Sequence, residues 1–191
     1  MSDEFGWHAR NLPHFDGVGV TQFVTFRLWD SIPQEVIRQI EDELKDEKGN
    51  VDRIRSQRKE AYLDRGAGSC LLRETECAEI VRDSILFLNG GWYELMAWVI
   101  MPNHVHLLVR FEEGQSLSKA LHSLKSYTGH ELKKLHPEMS HIWQDESFDR
   151  YMRNEEHYWK TYQYIHQNPV KAKICQVPED FQWSSAFGKL Q

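Results

Sequence analysis

Two hydrophobic rhythms alternate along this chain. Residues 19–28 set Val20, Gln22, Val24, Phe26 and Leu28 against Thr21, Phe23, Thr25 and Arg27. That is a strand apolar on much of both faces, hence central in a sheet. Val36, Ile37, Ile40 and Leu44 then follow a helical period. They predict a helix from Gln34 to about Lys48, capped by Asp30 or Ser31, with Pro33 in its first turn and Gly49-Asn50 as its break. Residues 51–69 are highly charged and predict a short exposed helix and a Gly-rich loop. Ala78, Ile80, Val81, Ile85, Leu86 and Leu88 mark a second amphipathic stretch, ended by Asn89-Gly90-Gly91. Two apolar runs, 93–101 and 104–111, read as strands flanking Pro102-Asn103. Ser116 is placed to cap a helix running to about Leu135, and residues 148–152 fit a short edge strand. A last helix is expected from Glu155 to about Gln167, stopped at Asn168-Pro169 because the residue before proline avoids helical angles. The order is strand, helix with a helical insertion, strand, strand, helix, strand, helix. It predicts an α+β sandwich with helices packed on an antiparallel sheet, preceded by a polar arm over residues 1–17.

Composition narrows the class. The chain has 191 residues, 40% apolar and 27% charged, which suits one globular domain with a sizeable core. Its apolar runs are too short to span a membrane, and Met1-Ser2-Asp3-Glu4 lacks the basic and apolar regions of a signal peptide. Cys70, Cys77 and Cys175 are odd in number and form no CxxC pair, which points away from a disulfide framework or zinc ribbon and towards a reducing, cytoplasmic compartment. Net charge is −6, from 23 Lys plus Arg against 29 Asp plus Glu. That balance weighs against general nucleic-acid affinity but leaves room for a local basic groove.

Two constellations carry candidate chemistry. Side chains alternate across a strand, so His104 and His106 share one face while Val105, Leu107 and Val109 share the other. Two imidazoles side by side on a rigid strand can converge on one divalent cation; the plainer reading is a solvated strand face. Tyr164 and Asn168, four residues apart, lie on one face of the last helix if it reaches that far. The plainer reading of Tyr158, Trp159, Tyr162 and Tyr164 is an aromatic packing stripe. Arg10 and His14 in the arm can touch phosphate, as can the Arg53/Arg55/Arg58/Lys59 cluster, which reads more simply as a solvated helix face.

Taken together, a set of motifs resembles the REP-associated tyrosine transposases, relatives of insertion-sequence transposases that act on single-stranded DNA. They are Asn11-Leu12-Pro13-His14-Phe15, Thr21-Gln22-Phe23-Val24-Thr25-Phe26-Arg27, residues 97–106 with Pro102-Asn103-His104-Val105-His106, Ser123-Leu124-Lys125-Ser126-Tyr127-Thr128, Trp143-Gln144, Tyr164-Ile165-His166-Gln167-Asn168-Pro169-Val170-Lys171 and Trp183-Ser184-Ser185. The resemblance touches nearly the whole chain except about 46–75, which then reads as a charged helical insertion in a single domain of the HUH endonuclease type. It implies a ferredoxin-like, RRM-like fold, with Mg²⁺ or Mn²⁺ held by His104, His106 and Asn168, and Tyr164 as the nucleophile that forms a 5′-phosphotyrosine link. Tyr127, with Glu131 four residues on, is the alternative nucleophile; the Tyr164–Asn168 pair matches the family pattern better. The implied partner is single-stranded DNA or a REP-type hairpin, bound by a monomer or homodimer in a bacterial, nucleoid-associated setting. Arg10, Asn11, Lys125, Arg150, Arg153 and Lys171 are candidates for phosphate, and Trp143, Phe148 and Tyr151 for stacking on bases. Two other readings are a non-catalytic single-strand or hairpin-binding protein on an RRM-like sheet and a metal-dependent hydrolase that uses water.

Overall fold

The computed structural model describes residues 6–9, 13–16, 19–45, 47 and 49–188. Part of the predicted arm is a two-stranded antiparallel ribbon, β1 (Gly6–Ala9) and β2 (Pro13–Asp16). Arg10 and Asn11 lie outside the described residues. The body follows as β3 (Thr21–Arg27), α1 (Gln34–Glu43), α2 (Val51–Leu63), α3 (Thr75–Leu88), β4 (Tyr93–Ile100), β5 (His104–Phe111), α4 (Leu117–Leu135), β6 (Phe148–Tyr151) and α5 (Glu155–Lys171). The main sheet runs β4-β5-β3-β6, antiparallel throughout. Without the N-terminal ribbon and the additions α1, α2 and α5, that is the ferredoxin-like β-α-β-β-α-β arrangement.

Each sheet face has its own core, and the strand period decides which residue joins which. Val24, Phe26, Val105, Leu107 and Val109 pack with Cys77, Val81 and Ile85 of α3 and Leu117, Leu121 and Leu124 of α4. Phe23, Ala97, Val99, Leu108 and Met101 pack on the other face with Ile165 of α5. The histidines belong to this second face. The β4 edge is covered by the C-terminal segment: Ile100 N–H donates to Trp183 O and Ser185 N–H to Trp98 O, while His166 and Ser185 Oγ meet at 2.7 Å. The Trp183-Ser184-Ser185 motif therefore blocks an exposed edge and ties it to α5.

Four expectations are corrected. The first helix ends at Glu43, short of Lys48, with Leu44 as its buried C-cap. Neither Asp30 nor Ser31 caps it. Ser31 Oγ donates to Leu28 O, and Asp30 accepts from Ser69 N–H, so both side chains serve loops instead. The charged segment is not simply exposed: α2 is capped by Asn50, buries Leu63, and pairs Arg55 with Glu41 at 2.9 Å on α1. The last helix does not stop at Asn168-Pro169 but continues through both to Lys171. Proline removes one backbone donor, yet Asn168 and Pro169 are buried and Ala172 N–H still donates to Asn168 O. Burial against the sheet outweighs the local penalty.

Candidate active site

The Pro102-Asn103 turn is held from three sides. Met101 N–H donates to His104 O, Leu72 N–H to Pro102 O and Leu28 N–H to Asn103 O. The Asn103 amide, fully buried, donates to Leu63 O at 3.2 Å and Ala67 O at 2.9 Å. Both carbonyls come from the end of α2 and the loop after it. Gly68 makes that loop possible: its φ is +85° and a Cβ there would lie 2.6 Å from Asp30 O.

With its NH₂ group committed, Asn103 turns Oδ1 to His104 Nδ1 at 2.7 Å, so that nitrogen carries the proton and donates. His106 Nδ1 meets Thr25 Oγ1 at 2.7 Å, from the residue directly opposite in β3. Each ring is thus anchored through Nδ1, and the two Nε2 atoms face one another at 3.1 Å. Both rings are buried. Burial pushes His104 down to about 3; burial first, then His104 and Lys171, holds His106 well below its ordinary value. These are neutral imidazoles whose Nε2 atoms converge.

Tyr164 and Asn168 share the face of α5 that covers them. The Tyr164 ring packs edge-on to His106, centroids 5.4 Å apart, and to Phe23 at 5.9 Å. Burial raises its phenol well above the ordinary value, and the carboxylates of Glu60 on α2 and of Asp64, the C-cap of that helix, raise it further. Asn168 and Arg150 favour the ionised form. Neither the Tyr164 hydroxyl nor either end of the Asn168 amide closes a hydrogen bond of ordinary geometry among the described residues. Buried polar atoms without partners are costly and rare in a folded core. Here they lie on the helix face whose Tyr164 ring packs on the His106 imidazole. Two nitrogens, an amide oxygen and a phenol oxygen form a donor set suited to a small divalent cation, whose right-angled ligands sit roughly 3 Å apart.

The cationic candidates divide. Lys171 Nζ lies 4.5 Å from the centre of the Tyr164 ring, and Arg150 is close enough to influence Glu60 and Tyr164. Exposed Arg153 stacks over Tyr151 at the end of β6. Lys125 Nζ donates to Asp145 O, and burial pushes it down to about 8 against the pull of Asp145. Among the aromatics, Trp143 is corrected: it is buried, edge-on to Phe26, and donates Nε1–H to Thr128 Oγ1, so it has no face for a base. Phe148 packs against Phe23. Tyr127 is 59% exposed on α4, whose buried face lies against the opposite side of the sheet from the histidines.

Sequence reasoning assigned no role to Thr25, Asn103, Glu60 or Asp64. The first two lie within the motifs at 21–27 and 97–106. The carboxylates are four apart on a helix, a signal lost in a run of mixed charge. Burial and the neighbouring Asp64 raise Glu60 to about 7, against the pull of Arg150 and Lys171.

Residues 74–168, which include both histidines, Tyr164 and Asn168, match the family described as Transposase IS200 like. The chain is 28% identical over 94 residues to a REP-associated tyrosine transposase of Escherichia coli (strain K12), an alignment covering 49% of this chain and 54% of that protein. It therefore spans about half the length of this curated relative. A REP-associated tyrosine transposase solved bound to a REP hairpin superposes with a TM-score of 0.59 at 20% identity, covering 93% of this chain and 82% of the other, a likeness of fold. Through this matched segment and the sheet it builds, the chain belongs to the IS200-like transposase family.

Proposed function

We propose that this chain is a metal-dependent single-stranded DNA endonuclease and transposase that binds REP-type hairpins and cuts through a 5′-phosphotyrosine intermediate. The observation that carries it is two converging Nε2 atoms on the sheet face covered by a tyrosine hydroxyl and an amide, both buried and neither closing a hydrogen bond of ordinary geometry among the described residues. His104, His106 and Asn168 would hold Mg²⁺ or Mn²⁺. When bound, the cation polarises the scissile phosphate and offsets its charge.

The chain's own groups do the rest. Lys171 and Arg150 border Tyr164 and draw a phosphate towards it. The Tyr164 oxygen attacks phosphorus, forming the new P–O bond as the bond to the 3′ oxygen breaks; that oxygen leaves as a 3′-hydroxyl after taking up a proton. The phenol proton must go to a nearby acceptor, and Glu60, raised to about 7 and near enough for its charge to act on the phenol, is the candidate. The link preserves the energy of the phosphodiester, so rejoining needs no ATP. Such a substrate places the protein in the bacterial cytoplasm, with DNA.

The test is a denaturing gel of protein, hairpin DNA and Mn²⁺. Wild type should show a covalent adduct; Tyr164→Phe, and His104→Ala with His106→Ala, should show neither adduct nor cleavage while still binding the hairpin. Because the buried Tyr164 hydroxyl closes no hydrogen bond of ordinary geometry among the described residues, Tyr164→Phe should melt at or above the wild-type temperature. Peptide mapping of the adduct to Tyr127 would refute the assignment. Cleavage without adduct would indicate a water-using hydrolase, and binding without cleavage a binding protein.

A further inference from the structure

Away from the histidine site, the start of α3 meets the end of α4. Glu74 is the residue before the first turn of α3, Cys77 lies in that turn, and His136 follows the last residue of α4. His136 Nε2 sits 3.2 Å from Glu74 Oε2 and 3.7 Å from Cys77 Sγ. The three ligand atoms all lie within 4.8 Å of one another, and among the described residues this is the one such group of three His, Cys, Asp or Glu side chains.

We propose that Glu74, Cys77 and His136 form a zinc site that clamps α3 to α4, distinct from the candidate active site. On a tetrahedral zinc, a thiolate sulfur and an imidazole nitrogen sit roughly 3.6 Å apart, and a carboxylate oxygen and an imidazole nitrogen roughly 3.3 Å. The observed separations are already those of bound ligands. The other nitrogen of His136 also has the partner such a ligand needs: Nδ1 meets Glu138 Oε1 at 3.1 Å, which leaves the Nε2 lone pair directed at Cys77 and Glu74. One sulfur, one nitrogen and one oxygen suit zinc rather than magnesium. Glu74 is exposed, so solvent can supply a water as fourth ligand. On coordination the Cys77 thiol releases its proton to solvent and binds as thiolate.

The site faces the core made by α3 and α4, on the sheet face opposite the histidines. Its role is therefore structural. It joins residues 59 apart in sequence, and occupancy stabilises the fold by mass action.

The full-length protein titrated with Co²⁺ tests this, since thiolate-to-cobalt charge transfer in the near ultraviolet reports sulfur coordination. One Co²⁺ should bind with that band and with tetrahedral visible bands, Zn²⁺ should displace it, and Zn²⁺ should raise the melting temperature. Cys77→Ser should abolish the band. His136→Gln and Glu74→Gln change less buried side chains and should each weaken Co²⁺ binding at least tenfold, with the metal-free melting temperature nearly unchanged; Glu138→Gln should weaken it about tenfold. These variants keep the test decisive if Cys77→Ser fails to fold. No charge-transfer band in the wild type, or a band that survives Cys77→Ser or is untouched by His136→Gln and Glu74→Gln, would overturn the proposal.

Discussion

Each imidazole at the centre of the sheet is anchored by one nitrogen and offers the other, and burial keeps both neutral. This has a thermodynamic consequence in metal-free protein. An unfolded histidine titrates near 6.5, whereas folded His104 titrates at about 3. Between those values the unfolded chain binds a proton that the folded chain refuses. The stability is complete above about pH 6.5 and is lost as the pH falls through that window, on the order of 1 kcal/mol per pH unit. Glu60 acts with the opposite sign: raised from 4.5 to about 7, it binds its proton more tightly when folded and favours the fold as the pH falls through that interval. The clean measurement is a difference. Urea unfolding at pH 7.5 and pH 5 should show that His104→Gln loses less stability on acidification than wild type. Equal losses would contradict a buried neutral His104.

At the scale of elements, the charged helix α2 supports the strand that carries the histidines. Leu63 O and Ala67 O fix Asn103, and Asn103 fixes the His104 ring. Asn103→Ala would leave two backbone carbonyls and one imidazole N–H without partners in a buried site, costing about 1–3 kcal/mol. Because the ring would lose its orientation, cleavage should drop by roughly 10- to 100-fold. A stopped cleavage assay alongside urea unfolding checks both numbers; full activity with reduced stability would show that Asn103 braces the fold and not the site. Sequence reasoning read this segment as a solvated face because mixed charge along a helix carries no hint of its partner. Conversely, the 104/106 alternation and the 164/168 spacing were both legible, since each depends only on the local geometry of a strand or a helix.

For the whole molecule, a net charge of −6 coexists with cations gathered around Tyr164. Arg150 of the edge strand and Lys171 of α5 lie on that face, whereas Lys133 donates to Ser140 O near the far end of α4. Hairpin or single-stranded DNA should therefore bind more tightly than blunt duplex, with affinity falling as salt rises. Lys171→Gln should weaken hairpin binding and reduce the salt slope by about 1, while Lys133→Gln should leave both unchanged. Fluorescence anisotropy at several salt concentrations measures this. Equal affinity for duplex and hairpin, or equal effects of the two substitutions, would count against the basic face as the DNA surface.

What the sequence by itself determined is local. The alternation in 19–28 and 104–111 set the central strands, the leucine spacing set α4 with its Ser116 cap, and the 3.6-residue period put Tyr164 and Asn168 on one face. Only the tertiary structure decided which sheet face each helix covers. That choice puts α5 over the histidines and α4 behind the sheet, and so sets Tyr164 beside His106 and Tyr127 in solvent. It also carried α5 through Pro169, turned α2 into a support for Asn103, and brought His136 to Cys77. Residue periodicity reports a side chain's direction relative to its own backbone. The burial that joins distant segments is settled by the chain as a whole, where a few kcal/mol of packing outweighs a local preference.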